Sequence, residues 1–190
     1  MSNNFVTLRP VFMSYDIPER SKLRNPSRFL RRRGVRLQQS VWCIPESMIP
    51  YSLMSDLENG GASVYVVAFD SSEAETLMSI LTDALKKEAE SARRRAAKSI
   101  KNAEDAMTES DQGPTKAIDD FDIRVTKAVR RAETLLGDLQ EAARVFGIDV
   151  SNLPIQASLQ AVNVLQQAAS YRAQAYVEMA RAATQAANVD

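Results

Sequence analysis

Along the first seventy residues the apolar positions fall in short runs whose period keeps changing; beyond Asp70 they keep one helical period. Val11-Phe12-Met13-Ser14-Tyr15 predicts a buried strand with a polar stop at Asp16. Asn25-Pro26-Ser27 predicts a helix start, since proline is tolerated in the first turn and Asn or Ser can cap. That helix is expected to reach Arg33 and stop at Gly34. Val35 to Ile44 is rich in Val, Leu and Trp and ends at Pro45, so it predicts strand, either one or two joined by a tight turn around Gln39. Ser47 to Asn59 predicts a short helix with Ile49, Leu53, Met54 and Leu57 on one side, closed by Gly60-Gly61. Ser63 to Phe69 is the clearest strand in the chain.

The order strand, helix, one or two strands, helix, strand packs helices on one face of an antiparallel sheet, which predicts a ferredoxin-like α+β domain over residues 1–70. A helical extension over 71–190 follows, a bundle of three long Ala-rich helices at about 72–107, 115–146 and 155–187. In the first, Leu77, Leu81, Leu85, Ala89, Ala92, Ala96, Ile100 and Ala103 keep a three-to-four spacing. In the second, Ile118, Phe121, Val125, Ala128, Ala132, Leu135, Leu139, Ala142 and Phe146 make a heptad seam. The third carries Ile155, Leu159, Val162, Leu165, Ala169, Ala173, Tyr176, Ala180 and Ala183 on one stripe. Alanine contributes little apolar area per residue, so such helices need one another or a second subunit. A homodimer is expected, with a protein partner docking through the helices as a further use of the seams.

Composition narrows the chemistry. Histidine is absent, which removes Ser-His-Asp and Cys-His nucleophile chemistry, His general bases and most zinc sites. The single cysteine, Cys43, cannot form an intrachain disulfide, and it reads as a small core residue in a reducing compartment. MSNNFV does not read as a secretory leader. The uncharged stretch from Val150 to Tyr171 contains ten Ser, Asn, Gln or Pro residues and would insert poorly into hydrocarbon. A soluble cytoplasmic protein without membrane association is expected.

The zero net charge is unevenly spread. Residues 1–70 hold nine basic and six acidic groups, whereas residues 102–190 hold eight and thirteen. Eight cations and no acid lie in one run: Arg20, Lys22, Arg24, Arg28, Arg31, Arg32, Arg33 and Arg36. Arginine's planar fork suits bidentate phosphate contacts, so the run is a candidate nucleic-acid site; the alternative is a solvated face paired with the acidic back half. On a helix, Arg24, Arg28, Arg31 and Arg32 would share a face, with Phe29 and Leu30 pointing to the sheet. Arg93, Arg94, Arg95, Lys98 and Lys101 form a possible second patch. Trp42, Tyr15, Tyr65 and Phe69 lie on predicted strands, where core packing is expected ahead of base stacking. Asp16 is expected to be a strand terminus. Its alternative is a catalytic and metal-ligating carboxylate.

Two families resemble the opening stretch. The small CRISPR-associated proteins that partner the spacer integrase resemble it in Tyr15-Asp16-Ile17, the Arg-rich run to Gly34, and Gln38-Gln39-Ser40-Val41-Trp42. The N-terminal region of the chromate-resistance regulator ChrB resembles it in Arg24 to Gly34, Val41-Trp42-Cys43-Ile44-Pro45, Gly60-Gly61 and Phe146-Gly147. Both resemblances imply a ferredoxin-like core. The first implies Asp16 carboxylates of two subunits facing each other around Mg²⁺. The chain differs from the first family in having no C-terminal strand, and from the second in having no chromate-sensing region, so chromate function is not expected. The leading expectation is DNA or RNA binding in a regulatory or adaptor role, without a cofactor. The alternatives are a metal-dependent endonuclease using paired Asp16, and a structural or scaffolding protein assembling through its helices.

Overall fold

The computed structural model describes residues 9–17, 26–69, 73–110 and 113–187. The architecture is α+β: a four-stranded antiparallel sheet near the N-terminus, followed by long helices. β1 (Pro10–Asp16) alternates, with Val11, Met13 and Tyr15 buried and Asp16 exposed at its end. It pairs antiparallel with both β3 (Val41–Pro45) and β4 (Ser63–Ala68), and β3 pairs antiparallel with β2 (Val35–Gln38). The strand order is β2-β3-β1-β4. β1 and β2 therefore run the same way with β3 between them, and β3 and β4 do so around β1.

Period-two alternation decides which face each side chain joins. Val11, Met13, Tyr15, Trp42 and Ile44 form one core with Leu30 of α1 (Ser27–Leu30) and Leu57 of α2 (Tyr51–Asn59). Ile49, Leu53 and Met54 pack against its margin, as their spacing predicts. On the other face, Val35 and Cys43 stand opposite each other and are buried as well. Burial pushes the Cys43 thiol up to about 12. The outer strand β4 is different: Tyr65 and Val67 are exposed.

Two expected helices are shortened, each for a local reason. The helix expected to reach Arg33 is the single turn α1, and Arg31 to Arg33 continue as a turn. Its end is fixed by Gly34, whose amide donates to the Leu30 carbonyl at 3.0 Å. The chain must descend onto β3 there, since a Cβ on Gly34 would lie 2.3 Å from the Cys43 carbonyl oxygen. Gly34 thus serves close approach, not a left-handed helix stop. The helix expected from Ser47 is split by Pro50. A residue before proline is held out of the helical region, and Ile49 has ψ 122°. A 3-10 turn (Glu46–Met48) precedes the split, and α2 follows it.

The long helices are α3 (Ala74–Thr108), α4 (Pro114–Val145) and α5 (Ile155–Ala187), each spanning roughly 50 Å at 1.5 Å per residue. Gly147, at φ 68°, closes α4, and the Ile148 amide reaches back to the Ala143 carbonyl at 2.9 Å. Asp149 accepts from the Ser151 amide at 2.9 Å, capping a 3-10 turn (Val150–Asn152). The Ser151 hydroxyl, and then its amide, hold the Asp149 carboxyl below its usual range.

The chain makes two compact units. One consists of Met1–Glu88 with Gly137–Leu153, the other of Ala89–Leu136 with Pro154–Asp190. In the second, Ala96, Ile100, Ala103 and Met107 of α3, Phe121, Val125 and Ala132 of α4, and Val162, Ala169 and Ala173 of α5 share one core. This is a three-helix bundle; its core uses most of the stripes set by the sequence, with Met107 and Val177 buried in addition and Ala183, expected on the α5 stripe, exposed. Among the described residues no helix is long and apolar enough to cross a membrane.

Candidate nucleic-acid interface

The basic run falls at the corner between α1 and β2. Arg20, Lys22 and Arg24 lie outside the described residues, as does the side chain of Arg28. Arg31 and Arg36 are half-buried, and Arg32 and Arg33 are exposed. With α1 a single turn, the described cations Arg31, Arg32, Arg33 and Arg36 lie beyond its end, and the expected division of faces fails at Phe29, which is 51% exposed. Leu30 alone goes inward. What holds the arginines together is the tight turn from Leu30 to Gly34, closed by the Arg33 and Gly34 amides on the Leu30 carbonyl.

Their electrostatic situations differ. The Arg32 Nε donates to Asp138 Oδ1 of α4 at 2.7 Å, a contact within the first compact unit. That hydrogen bond first, then the charge of Asp138, raises the Arg32 guanidinium above its ordinary value. Asp138 is 8% exposed. Arg33 donates to the Phe29 carbonyl at 3.4 Å, and Arg36 donates to the Gln38 carbonyl at 3.2 Å. Neither bond neutralises charge, and a guanidinium has five N–H donors. Among the described residues, Arg31, Arg33 and Arg36 have no carboxylate within ion-pair distance. Among the described residues, the corner is therefore a partly compensated cationic site: Arg32 is paired with an acid, and Arg31, Arg33 and Arg36 are not.

Sequence reasoning missed Asp138. It lies three residues from Leu135 and one from Leu139, at the border of the apolar stripe on α4. An acid at the margin of a buried stripe needs a cation from elsewhere, and that is the signal that could have found it.

The second patch lies on α3 within the other compact unit. Arg93, Arg94, Arg95, Lys98 and Lys101 are exposed, while Ala92, Ala96 and Ile100 between them are buried. Arg95 donates to the Ser91 carbonyl at 3.2 Å.

Asp16 is exposed at the end of β1, opposite Ser63 of β4. Mg²⁺ takes about six oxygens, and one carboxylate supplies at most two. Among the described residues, no group of three or more Asp, Glu or Cys comes together where a metal could sit.

Of the strand aromatics, Tyr15 and Trp42 are core residues. The Tyr15 hydroxyl meets the Ser27 hydroxyl at 3.4 Å, while the Trp42 indole N–H has no hydrogen-bond partner among the described residues. Phe69 packs edge-on against Phe12. Tyr65 departs from the core expectation: it is 62% exposed on β4, at the opposite edge of the sheet from β2. It offers an aromatic plane, separated from the arginine corner by three strand spacings, roughly 14 Å. No family model, curated protein or solved structure matches the chain.

Proposed function

We propose that the chain is a nucleic-acid-binding protein with a regulatory or adaptor role, built on a dimeric ferredoxin-like N-terminal domain. The ferredoxin-like reading rests on the element order β-α-β-β-α-β and on two interleaved parallel pairs in the strand order β2-β3-β1-β4. The binding reading rests on one observation: Arg31, Arg33 and Arg36 share a tight turn and a strand start, with no carboxylate opposing them among the described residues. The turn keeps the three guanidinium groups close together along the chain, and their planar forks match two phosphate oxygens. The ligand class is a polyanion read through its backbone. Nothing at the corner favours one base over another.

The test is fluorescence anisotropy with labelled single-stranded RNA, single-stranded DNA and duplex DNA across a salt series. Affinity should fall steeply with salt through counterion release. Replacing Arg31, Arg33 and Arg36 together by Glu should weaken binding at least tenfold, roughly, and flatten the salt slope by about three. Exchanging Arg172, which is bonded to Glu104 at 2.8 Å in the second unit, should leave it unchanged. Absence of binding at low ionic strength, or indifference to the triple exchange, would remove the reading. Cleavage of the probes that is lost both in EDTA and in Asp16→Asn would replace it by an endonuclease.

A further inference from the structure

The basic patch on α3 has a counterpart on α4. From Ser91 to Asn102, α3 carries five cations and no acid. From Ile123 to Ala132, α4 carries Arg124, Lys127, Arg130 and Arg131, again with no acid. Both stretches belong to the second compact unit. Ala103 and Ala106 of α3 and Asp120 and Arg124 of α4 line one cleft, so Arg124 marks the flank of α4 that borders α3. Lys127 and Arg131 follow Arg124 at steps of three and four and share that flank. Back along α3 from Ala106, Asn102 lies roughly one turn earlier, Lys98 roughly two, toward the outer shoulder, and Arg95 roughly three. The helices run antiparallel, which brings Arg95 level with Arg131, Lys98 with Lys127 and Asn102 with Arg124. All six are exposed. The third helix supplies no acid at this level. Arg172 of α5 donates to Glu104 of α3 at 2.8 Å, which sets their register, and α5 carries no charge from Ile155 to Tyr171. Among the described residues, no carboxylate lies within ion-pair distance of Lys98, Arg124, Lys127 or Arg131.

We propose that the α3–α4 groove is a second nucleic-acid contact, holding the phosphate backbone of a single strand between Arg95 and Lys98 on one side and Arg124, Lys127 and Arg131 on the other. Charge selects the occupant. Like charges three and four residues apart destabilise the helix that carries them, and a helix with no ligand intersperses acids. Here acids bracket the band, with Glu90 and Glu104 on α3 and Asp122 and Glu133 on α4, and stay out of it. In a chain of 24 cations and 24 anions, that separation leaves one short level of the bundle cationic. The cations repeat along the groove at about one helical turn, roughly 5.4 Å, and a regular row of this kind meets a chain of regularly spaced single charges. Three of the five are arginines, whose forks match phosphate oxygens. A lipid surface fits less well, because the exposed residues of α3 from Arg93 to Asn102 are all polar and offer nothing to insert. Neither stretch contains an aromatic residue, so bases are not stacked and the contact follows the backbone, not the sequence. The groove does not rest on the arginine corner, which belongs to the first compact unit.

The test starts from a full chain in which Arg31, Arg33 and Arg36 are already Glu, and reads the anisotropy of a labelled thymidine homopolymer. This chain should keep salt-dependent binding. Adding Lys98→Glu, Lys127→Glu and Arg131→Glu should weaken what remains at least about tenfold and flatten the salt slope by about two, at about 0.7 per single-strand phosphate. The three positions are exposed, so circular dichroism should keep its helical signal. Lys86→Glu, Lys116→Glu and Arg181→Glu make the same change in net charge at exposed positions outside the groove. That control should stay within about twofold, since charges beyond a Debye length are screened. Four outcomes overturn the proposal: no binding by the starting chain at low ionic strength, no loss on the groove exchange, equal losses in groove and control, or displacement of the probe by polyglutamate as readily as by unlabelled homopolymer at matched charge. The two sites fail separately. A chain indifferent to the corner exchange but weakened by the groove exchange would remove the corner and keep the groove.

Discussion

A Cβ on Gly34 would lie 2.3 Å from the Cys43 carbonyl oxygen and 2.9 Å from Ile44 Cγ1, so backbone meets backbone where the arginine turn rests on β3. Gly34→Ala must force the strand or the turn aside, and overpacking of this kind costs about 1 to 3 kcal/mol. Cys43, on the same strand, reports the result. Its thiol is fully buried, and burial raises it to about 12 in the folded chain against about 8.5 unfolded. The contribution to stability is whole below the unfolded value and is lost as pH rises from there through the folded one. At neutral pH the native thiol should therefore resist alkylation until the chain opens. Gly34→Ala should lower the urea midpoint and speed thiol labelling together; an unchanged midpoint would show that the close approach is not felt. At this scale the sequence showed that Cys43 belongs inside and that Gly34 ends a turn. It did not show that the two meet, because that contact joins a turn to a strand through backbone atoms that carry no residue identity.

The long helices are the part of the fold most legible from sequence. Their apolar stripes recur at three and four over more than four turns, and every expected position on α3 from Leu77 to Ala103 is buried, with Met107 added one turn further on. On α4 the stripe proved wider, with Val129, Leu136 and Ala143 also buried. Heptad counting finds one seam, whereas a helix packed on two sides uses more of its circumference. A contrast on α4 measures this. Phe121→Ala removes a ring 1% exposed in the bundle core and should cost about 3 to 5 kcal/mol by chemical denaturation. Ile123→Ala, at a position 65% exposed, should stay within about 0.5 kcal/mol. Equal costs would mean that the inner and outer faces of α4 are misassigned. The short helices were less legible. Four residues of α1 and nine of α2 are too few for periodicity to set their ends, and Gly34 and Pro50 set them instead.

For the whole molecule, net charge gives no hint of a polyanion ligand: 24 cations balance 24 anions, and the isoelectric point is about 6.4. Any such affinity must come from local imbalance, which tertiary structure can reduce by bringing a distant acid to a basic run. Asp138 does so for Arg32 across 106 positions of sequence. Asp138→Asn keeps a hydrogen-bond acceptor but removes the charge. If the corner binds nucleic acid, this exchange should strengthen binding and steepen the salt slope by about one, the mark of one more phosphate contact. An unchanged slope would show that Arg32 is not aimed at the ligand.

By itself the sequence determined the two periods of the chain, the order of its strands and helices, the absence of histidine chemistry and the run of arginines. Each is a local property, set by which side chains recur at two or at three to four residues and by which functional groups exist at all. Tertiary structure decided which arginine is spent on Asp138, that Tyr65 stays at the surface while Trp42 goes inside, and that Val164 and Tyr171 of α5 stay exposed. Those outcomes depend on what residues far apart in sequence bring to the same place, and pairwise proximity of that kind leaves no periodic trace along a single chain.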